Sequence, residues 1–443
     1  MIKKVRENIK NNPDYFITIV SGYLLMGFNM VIQVFLVPFY LKYLGSYEFG
    51  ILMVMLSFIN YAAFGVGWMS GGALRVLGEY AAQQNNEGFI RGVMLSRTVY
   101  VGYAVVIGLL MVGIGLVVTG HFVHIPDKHL QVVRWSLVGA AFYFIVLYDF
   151  SVDRLVLTSV KRQAIGNILQ LLSLVVFAVG IFFALRSGGG LYWVFISLLI
   201  GNLLGKLVCV IYMKSQAIPN GWYLPGREDL PLLKRLLGPM GLGFFIYGFL
   251  LLTLQADTMI IGWVGGAEMA AQFVLIWKIP EVLIQLIWRI PEAMSPYLVH
   301  LDARKERGKL AYIYRRGLRW ISLISMIIGL IYACFGYKLV CLWVGIANAP
   351  TEVWGYVLGG ICIFWLGTAR LPSVFALATV NLSSLNRVAA VELVIKIIII
   401  LAFVSKLGYL APIVGTNLAH LGGIHIAYRR LFSRFSSKDT DYV

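Results

Sequence analysis

QAIGNILQLLSLVVFAVGIFFAL, residues 163–185, runs its whole length without a charged side chain. An α-helix rises about 1.5 Å per residue, so about 20 such residues cross the hydrocarbon of a bilayer. Inside lipid the backbone has no water to bond, and a helix satisfies its amides and carbonyls internally. The stretch therefore reads as one membrane span. Comparable runs recur at 15–41, 49–74, 93–119, 131–156, 190–213, 233–263, 268–298, 312–334, 355–380, 386–405 and 409–431, which predicts twelve spans in all. With 443 residues, 60% of them hydrophobic and only 13% charged, the composition lies beyond that of soluble globular proteins. The expected fold is an all-α polytopic membrane protein of about twelve transmembrane helices, in two six-helix lobes around a central cavity.

Several function classes are set aside at this level. The segments 121–130 and 336–352, expected on the outer side, are short, and no G-x-x-x-x-G-K-[ST] phosphate loop is present, so neither an ATPase nor an enzyme is expected. Cys209, Cys334, Cys341 and Cys362 lie in or beside apolar spans without a C-x-x-C pair and read as packing residues. His121, His124 and His129 lack the partners of a tetrahedral metal site apart from Asp127, so no metal or cofactor is expected. The net charge of +17 needs no nucleic-acid partner. Lys and Arg collect on one side of the predicted topology, including Lys3, Lys4, Arg75, Arg91, Arg97, Arg227 and the run Arg304–Arg319, which places both termini in the cytoplasm and adds attraction to anionic lipid.

The longest connection on the basic side, near 215–235, separates six spans from six. The expected division is an N-terminal lobe at 1–214, a cytoplasmic linker at 215–232 and a C-terminal lobe at 233–443. Shifting the first half so that Leu44 falls on Val264 brings Gly45 onto Gly265 and Glu48 onto Glu268. Repeats offset by an even number of spans are parallel, related by an axis along the membrane normal. That is the form of an alternating-access transporter.

One span carries more charge than lipid tolerates. WKIPEVLIQLIWRIPEAM, residues 277–294, contains Trp-Lys-Ile-Pro-Glu and, eleven residues on, Trp-Arg-Ile-Pro-Glu. At about 100° per residue Lys278, Glu281, Gln285, Arg289 and Glu292 fall at roughly 0, 300, 340, 20 and 320°, one narrow face of a helix. Two readings follow. Lys278 with Glu281 and Arg289 with Glu292 can neutralise each other at i,i+3 spacing; or the face lines a water-filled cleft, the usual place of intramembrane charge. Each proline also frees a carbonyl that needs a new partner. In the second reading Lys278, Gln285, Arg289 and Arg370 contact an anionic group, and Asn60 and Tyr61 belong to a facing aromatic wall. Asp257 and Glu281 are candidate sites for a coupling H⁺ or Na⁺. Lys206, Glu392 and Lys396 either join the cavity or snorkel to the interface. Arg75 and Glu79, at i,i+4, are expected to pair at the inner mouth.

VPFYLKYLGSYEFGILMVMLSFINYAAFGVGWMSGGALRVLGEYAAQQN, residues 37–85, resembles the opening of the bacterial polysaccharide transporters, with Pro38, Leu44-Gly45, Phe49-Gly50, Gly72, Arg75 and Glu79 carrying the likeness. These are lipid-linked oligosaccharide flippases of the multidrug/oligosaccharidyl-lipid/polysaccharide exporter superfamily. The resemblance implies a pair of six-helix bundles in the bacterial inner membrane that move a polyprenyl-diphosphate-linked glycan to the outer leaflet for O-antigen, lipopolysaccharide, capsule or exopolysaccharide assembly. It also implies ion coupling by H⁺ or Na⁺, and as partners membrane lipid, a polysaccharide polymerase and chain-length proteins. Lys278, Arg289 and Arg370 fit its cationic cavity by character and placement, whereas Glu281 and Glu292 depart from a purely cationic one. A cation-coupled multidrug exporter of the same fold and a membrane-embedded glycan polymerase or glycosyltransferase are the alternatives.

Overall fold

A computed structural model describes residues 13–62, 64–121, 126–237, 256–379 and 382–436. The described residues form α1 (Pro13–Ala62), α2 (Phe64–Ala82), α3 (Asn86–His121), α4 (Asp127–Ser159), α5 (Gln163–Arg186), α6 (Tyr192–Ser215) and the short α7 (Leu230–Leu237). There follow α8 (256–265), α9 (Ala267–Ala303), α10 (Arg307–Val344), α11 (Val353–Ala378), α12 (Leu382–Leu407), α13 (Ala411–Ala419) and α14 (His425–Ser436). Among these residues nine helices are long and apolar enough to cross a membrane by length and composition. The first, Ile17–Ala62, has 46 residues and the last, Ser383–Leu431, has 49, in each case roughly 70 Å of helix, twice what one crossing needs. The first is interrupted by Gly45 (φ 75°) and the last by Gly408 (φ 54°) and again by Gly423 (φ 114°), and each is long enough for two crossings. Among the described residues, nine helices with two of double length have room for eleven crossings. The predicted span at 233–263 lies mostly outside the described residues.

The chain forms two compact units. One comprises Met1–Leu44 with Ala62–Gly241, the other Gly45–Tyr61 with Leu242–Val443. The second half of α1 thus groups with the C-terminal helices. Its glycine explains the packing: a methyl group on Gly50 would stand 1.8 Å from the Ala267 carbonyl oxygen, so backbone meets backbone there. At Gly262 an added methyl would stand 2.3 Å from a methyl of Val54. Small residues allow such approach in membrane helices, where lipid supplies no hydrophobic drive and dispersion contacts must hold the pair.

In the first unit α3 packs on α4, and α5 on α6. Gly201 and Gly205 let α6 approach the backbone of α5 at Ser173 and Leu169. The carbonyl of Ala62, left over at the end of α1, accepts from the hydroxyls of Tyr148 (2.8 Å) and Tyr103 (3.1 Å). In the second unit α11 packs against both α9 and α10. Gly329 and Gly360 face one another so closely that a methyl on either would lie 2.4 Å from the other's carbonyl oxygen. Pro280 has no amide for the carbonyl of Ile276 four residues back, and the buried hydroxyl of Tyr332 on α10 donates to it at 2.6 Å. The lost helix bond becomes a bond between helices.

Candidate functional site

The doubled motif lies on α9, with its polar face intact. Lys278 Nζ donates to Glu281 Oε2 at 3.1 Å, and Gln285 Nε2 to Glu281 Oε1 at 3.2 Å. Eleven residues beyond Lys278, about three turns, Arg289 donates to Glu292 Oε2 at 2.8 Å. Both i,i+3 pairs are therefore formed. The second pair has a third member: Arg370 on α11 donates from Nε (3.1 Å) and from its terminal nitrogen to Glu292 Oε1. Its guanidinium also lies over the ring of Trp288, 5.0 Å from the centroid, and that indole donates to the Leu366 carbonyl of α11 at 2.9 Å. Arg370 is thus held by a carboxylate and an aromatic face, while Arg289 keeps 49% of its side chain exposed. With Arg370 of α11 added to the α9 face, three cations, Lys278, Arg289 and Arg370, stand against the carboxylates of Glu281 and Glu292 among the described residues. Arg289 is the most exposed of the three.

Asp257, without a cation near it in sequence, finds one in space. Lys396 of α12 donates to its Oδ2 at 2.7 Å, and the two side chains are only 4% and 3% exposed. Among the described residues the other oxygen, Oδ1, is buried without a hydrogen-bond donor. Snorkelling is therefore not what Lys396 does. Glu392, one turn earlier on α12, is buried as well: it accepts from the Tyr428 hydroxyl at 2.7 Å, and His420 Nε2 lies 3.3 Å from its Oε1, off the direction of a hydrogen bond. That contact is an ion pair only when His420 is protonated. His420 opens a π-helical turn, His420–Ile424, that ends at His425, with Gly423 inside it at φ 114°. Turns of this kind often mark functional positions in membrane and soluble helices alike. Both imidazoles lie against Trp365, His420 stacked on its ring and His425 edge-on.

The other candidates fall elsewhere. Asn60 and Tyr61 close the second half of α1 and belong to the same unit as α9. Arg75 Nε donates to Glu79 Oε1 at 3.0 Å on α2, and Arg235 of α7 reaches Glu79 Oε2 at 2.7 Å. The first unit has a charge cluster of its own, in which sequence reasoning noted Lys206 and Arg97 but not the two aspartates they meet. Asp149 and Asp153, one helical turn apart on α4, receive Arg97 of α3 and Lys206 of α6. Arg97 and Asp153 are fully enclosed. Two aspartates at i,i+4 inside a predicted span were the available signal. Arg97 reads in sequence as a surface cation of the basic side; the fold buries it, with Asn220 of the connecting segment on its other nitrogen.

That segment is tied to α3 along its length. Thr98 Oγ1 donates to the Tyr223 carbonyl at 2.5 Å, and Arg91 holds both Glu228 (3.1 Å) and Asp229. Burial alone would raise the Asp229 carboxyl, but the Gly226 amide, 2.8 Å away, and the Arg91 guanidinium outweigh it and hold that group below the usual carboxylate value.

No family model and no curated protein matches the chain. Solved structures do. The chain is similar to a multidrug resistance MATE family transporter of the MOP superfamily in its inward-facing conformation, with TM-score 0.75 and 13% identity over 95% of this chain and 99% of that one. It is similar to the lipid II flippase MurJ in an inward closed conformation, with TM-score 0.73 and 13% identity over 95% and 88%. An outward-facing MATE transporter gives TM-score 0.64 at 14% identity over 96% of each chain. These likenesses show the fold: an all-helical, multi-pass membrane architecture of two units, shared by MOP-superfamily transporters.

Proposed function

We propose that the chain is a flippase that carries a polyprenyl-diphosphate-linked oligosaccharide from the cytoplasmic to the outer leaflet of a bacterial inner membrane, for surface polysaccharide assembly. The observation that carries this reading is the Arg289–Glu292–Arg370 arrangement, two guanidiniums held ready on one carboxylate. A guanidinium binds phosphate oxygens through two parallel donors, and a diphosphate offers more acceptors than Glu292 does. The head group would displace Glu292 from Arg289 first, the exposed partner. Lys278 lies about 16 Å further along α9, at 1.5 Å for each of eleven residues, and would take the phosphates next. Glu281 and Glu292 serve as internal counter-ions that hold the cations when no substrate is present.

The similar structures include both drug exporters and a lipid flippase at nearly equal TM-scores, so they favour neither substrate. The three cations against two carboxylates favour an anionic one. A multidrug exporter for cationic drugs is the second reading, supported by the two carboxylates on the same face. For coupling, Asp257 is already neutralised by Lys396, and a sodium ion would have to displace an ammonium 2.7 Å away. A proton needs no coordination shell, and Glu392 with His420, 3.3 Å apart, offer two groups that can carry it beside the Asp257–Lys396 pair. The proposal therefore takes H⁺ as the coupling ion, with both termini cytoplasmic and a polysaccharide polymerase and chain-length proteins downstream.

The test is leaflet accessibility in liposomes carrying a short-chain polyprenyl-diphosphate glycan and the purified protein, scored by an external glycosidase. Protein-dependent exposure that disappears in Arg289→Ala and Lys278→Ala is expected. Exposure undiminished in both variants would overturn the assignment, and efflux of a cationic dye in their place would favour the exporter.

A further inference from the structure

A cavity of about 620 Å³ opens on α10, the helix that follows the one carrying the doubled motif, and is lined by Tyr312, Arg315, Arg316, Arg319, Trp320 and Leu323. Their spacing of three and four residues puts all six on one face of the helix. Three guanidiniums stand within about 6 Å of helix rise, and among the described residues no carboxylate lines the cavity. Arg316 is oriented by a 2.9 Å bond to the Tyr312 hydroxyl, and Arg319 makes no ion pair among the described residues. Tyr312 and Trp320 are each 57% exposed. One turn further on the same face becomes wholly apolar and stays exposed, through Met326 and Leu330.

We infer that this face is a binding site for an anionic phospholipid of the surrounding membrane. The arginines take the phosphate, Tyr312 and Trp320 lie at headgroup depth where amphipathic rings settle, and the apolar continuation carries an acyl chain. Leu330 is eleven residues beyond Arg319, about 16 Å along the helix axis, a length that suits a lipid tail and has no use for a free anion. The charge surplus also distinguishes the face from an ordinary lipid-facing stripe: among the described residues it has no carboxylate counter-ion, it lies beside exposed apolar side chains, and a phosphodiester anchored in the bilayer supplies negative charge together with the apolar cover. This inference does not depend on what the protein transports.

The experiment uses the full chain in detergent, with native mass spectrometry of bound phosphatidylglycerol and phosphatidylcholine. Wild type should retain phosphatidylglycerol in preference. Removing an arginine should weaken retention about fivefold, and Arg315→Gln/Arg316→Gln/Arg319→Gln together about a hundredfold, while Arg319→Lys keeps most of it. Quenching of tryptophan fluorescence by a brominated phosphatidylglycerol should fall in Trp320→Phe, a variant that leaves the charges in place and reports even if the triple variant folds poorly. Equal retention by wild type and a well-folded triple variant would overturn the inference. So would displacement of the lipid by millimolar inorganic phosphate or by the deacylated headgroup, which would make the site one for a soluble anion.

Discussion

Replacing one member of the Asp257–Lys396 pair should be worse than replacing both. The side chains are 3% and 4% exposed and 2.7 Å apart, so neither charge has water to fall back on. Taking away one partner of such a pair typically costs about 3–5 kcal/mol, because the other buried charge loses its ion pair; exchanging both for apolar groups of similar volume is often neutral. Asp257→Leu and Lys396→Met are therefore each expected to lose about 3–5 kcal/mol, and the double variant to return to within about 2 kcal/mol of wild type. Unfolding by sodium dodecyl sulfate in mixed micelles at neutral pH reads these differences directly. Leaflet exposure of the lipid-linked glycan, measured on the same preparations, separates stability from function: the double variant should be folded and inactive. Two results refute the reasoning. Single variants within about 1 kcal/mol of wild type would mean that the pair is solvated. A double variant that transports normally under a proton gradient would mean that the pair only holds helices together.

The close glycine contacts give the next prediction. Gly50→Ala and Gly360→Ala place a methyl group at 1.8 and 2.4 Å from carbonyl oxygens, so each should lower stability by at least about 1–3 kcal/mol, whereas Gly27→Ala, with nothing within 4 Å, should be neutral; a thermal melt in detergent compares them. Asp229 gives a pH dependence. Its carboxyl is held below the usual value, so its hold on the connecting segment is complete above the unfolded value of about 3.9 and fades as pH falls through the lower folded one. Proteolysis within 216–229 should accelerate below about pH 4 in wild type, and Asp229→Asn should be cut quickly already at pH 7. Tyr332→Phe removes the donor to the Ile276 carbonyl freed by Pro280; a loss of about 1–3 kcal/mol is expected, and Pro280→Ala in the same background should recover part of it.

Sequence alone determined the class of the molecule and most of its segmentation, because the requirement that sets them is local: a run of about 20 apolar residues crosses lipid as a helix whatever its neighbours do. It also determined that Lys278, Glu281, Gln285, Arg289 and Glu292 share a face, since helical periodicity is a local property. The i,i+3 pairs on that face were legible for the same reason. Which charge meets which across helices was not. Arg370 and Glu292 are 78 residues apart, Lys396 and Asp257 139, and only packing brings them together. Arg97 read as a surface cation and Lys396 as one able to snorkel; both are buried because a carboxylate on another helix waits for them. The membership of Gly45–Tyr61 in the second unit was likewise decided by tertiary contact, backbone against backbone at Gly50. Periodicity assigns a side chain to a face, and the fold decides what that face meets.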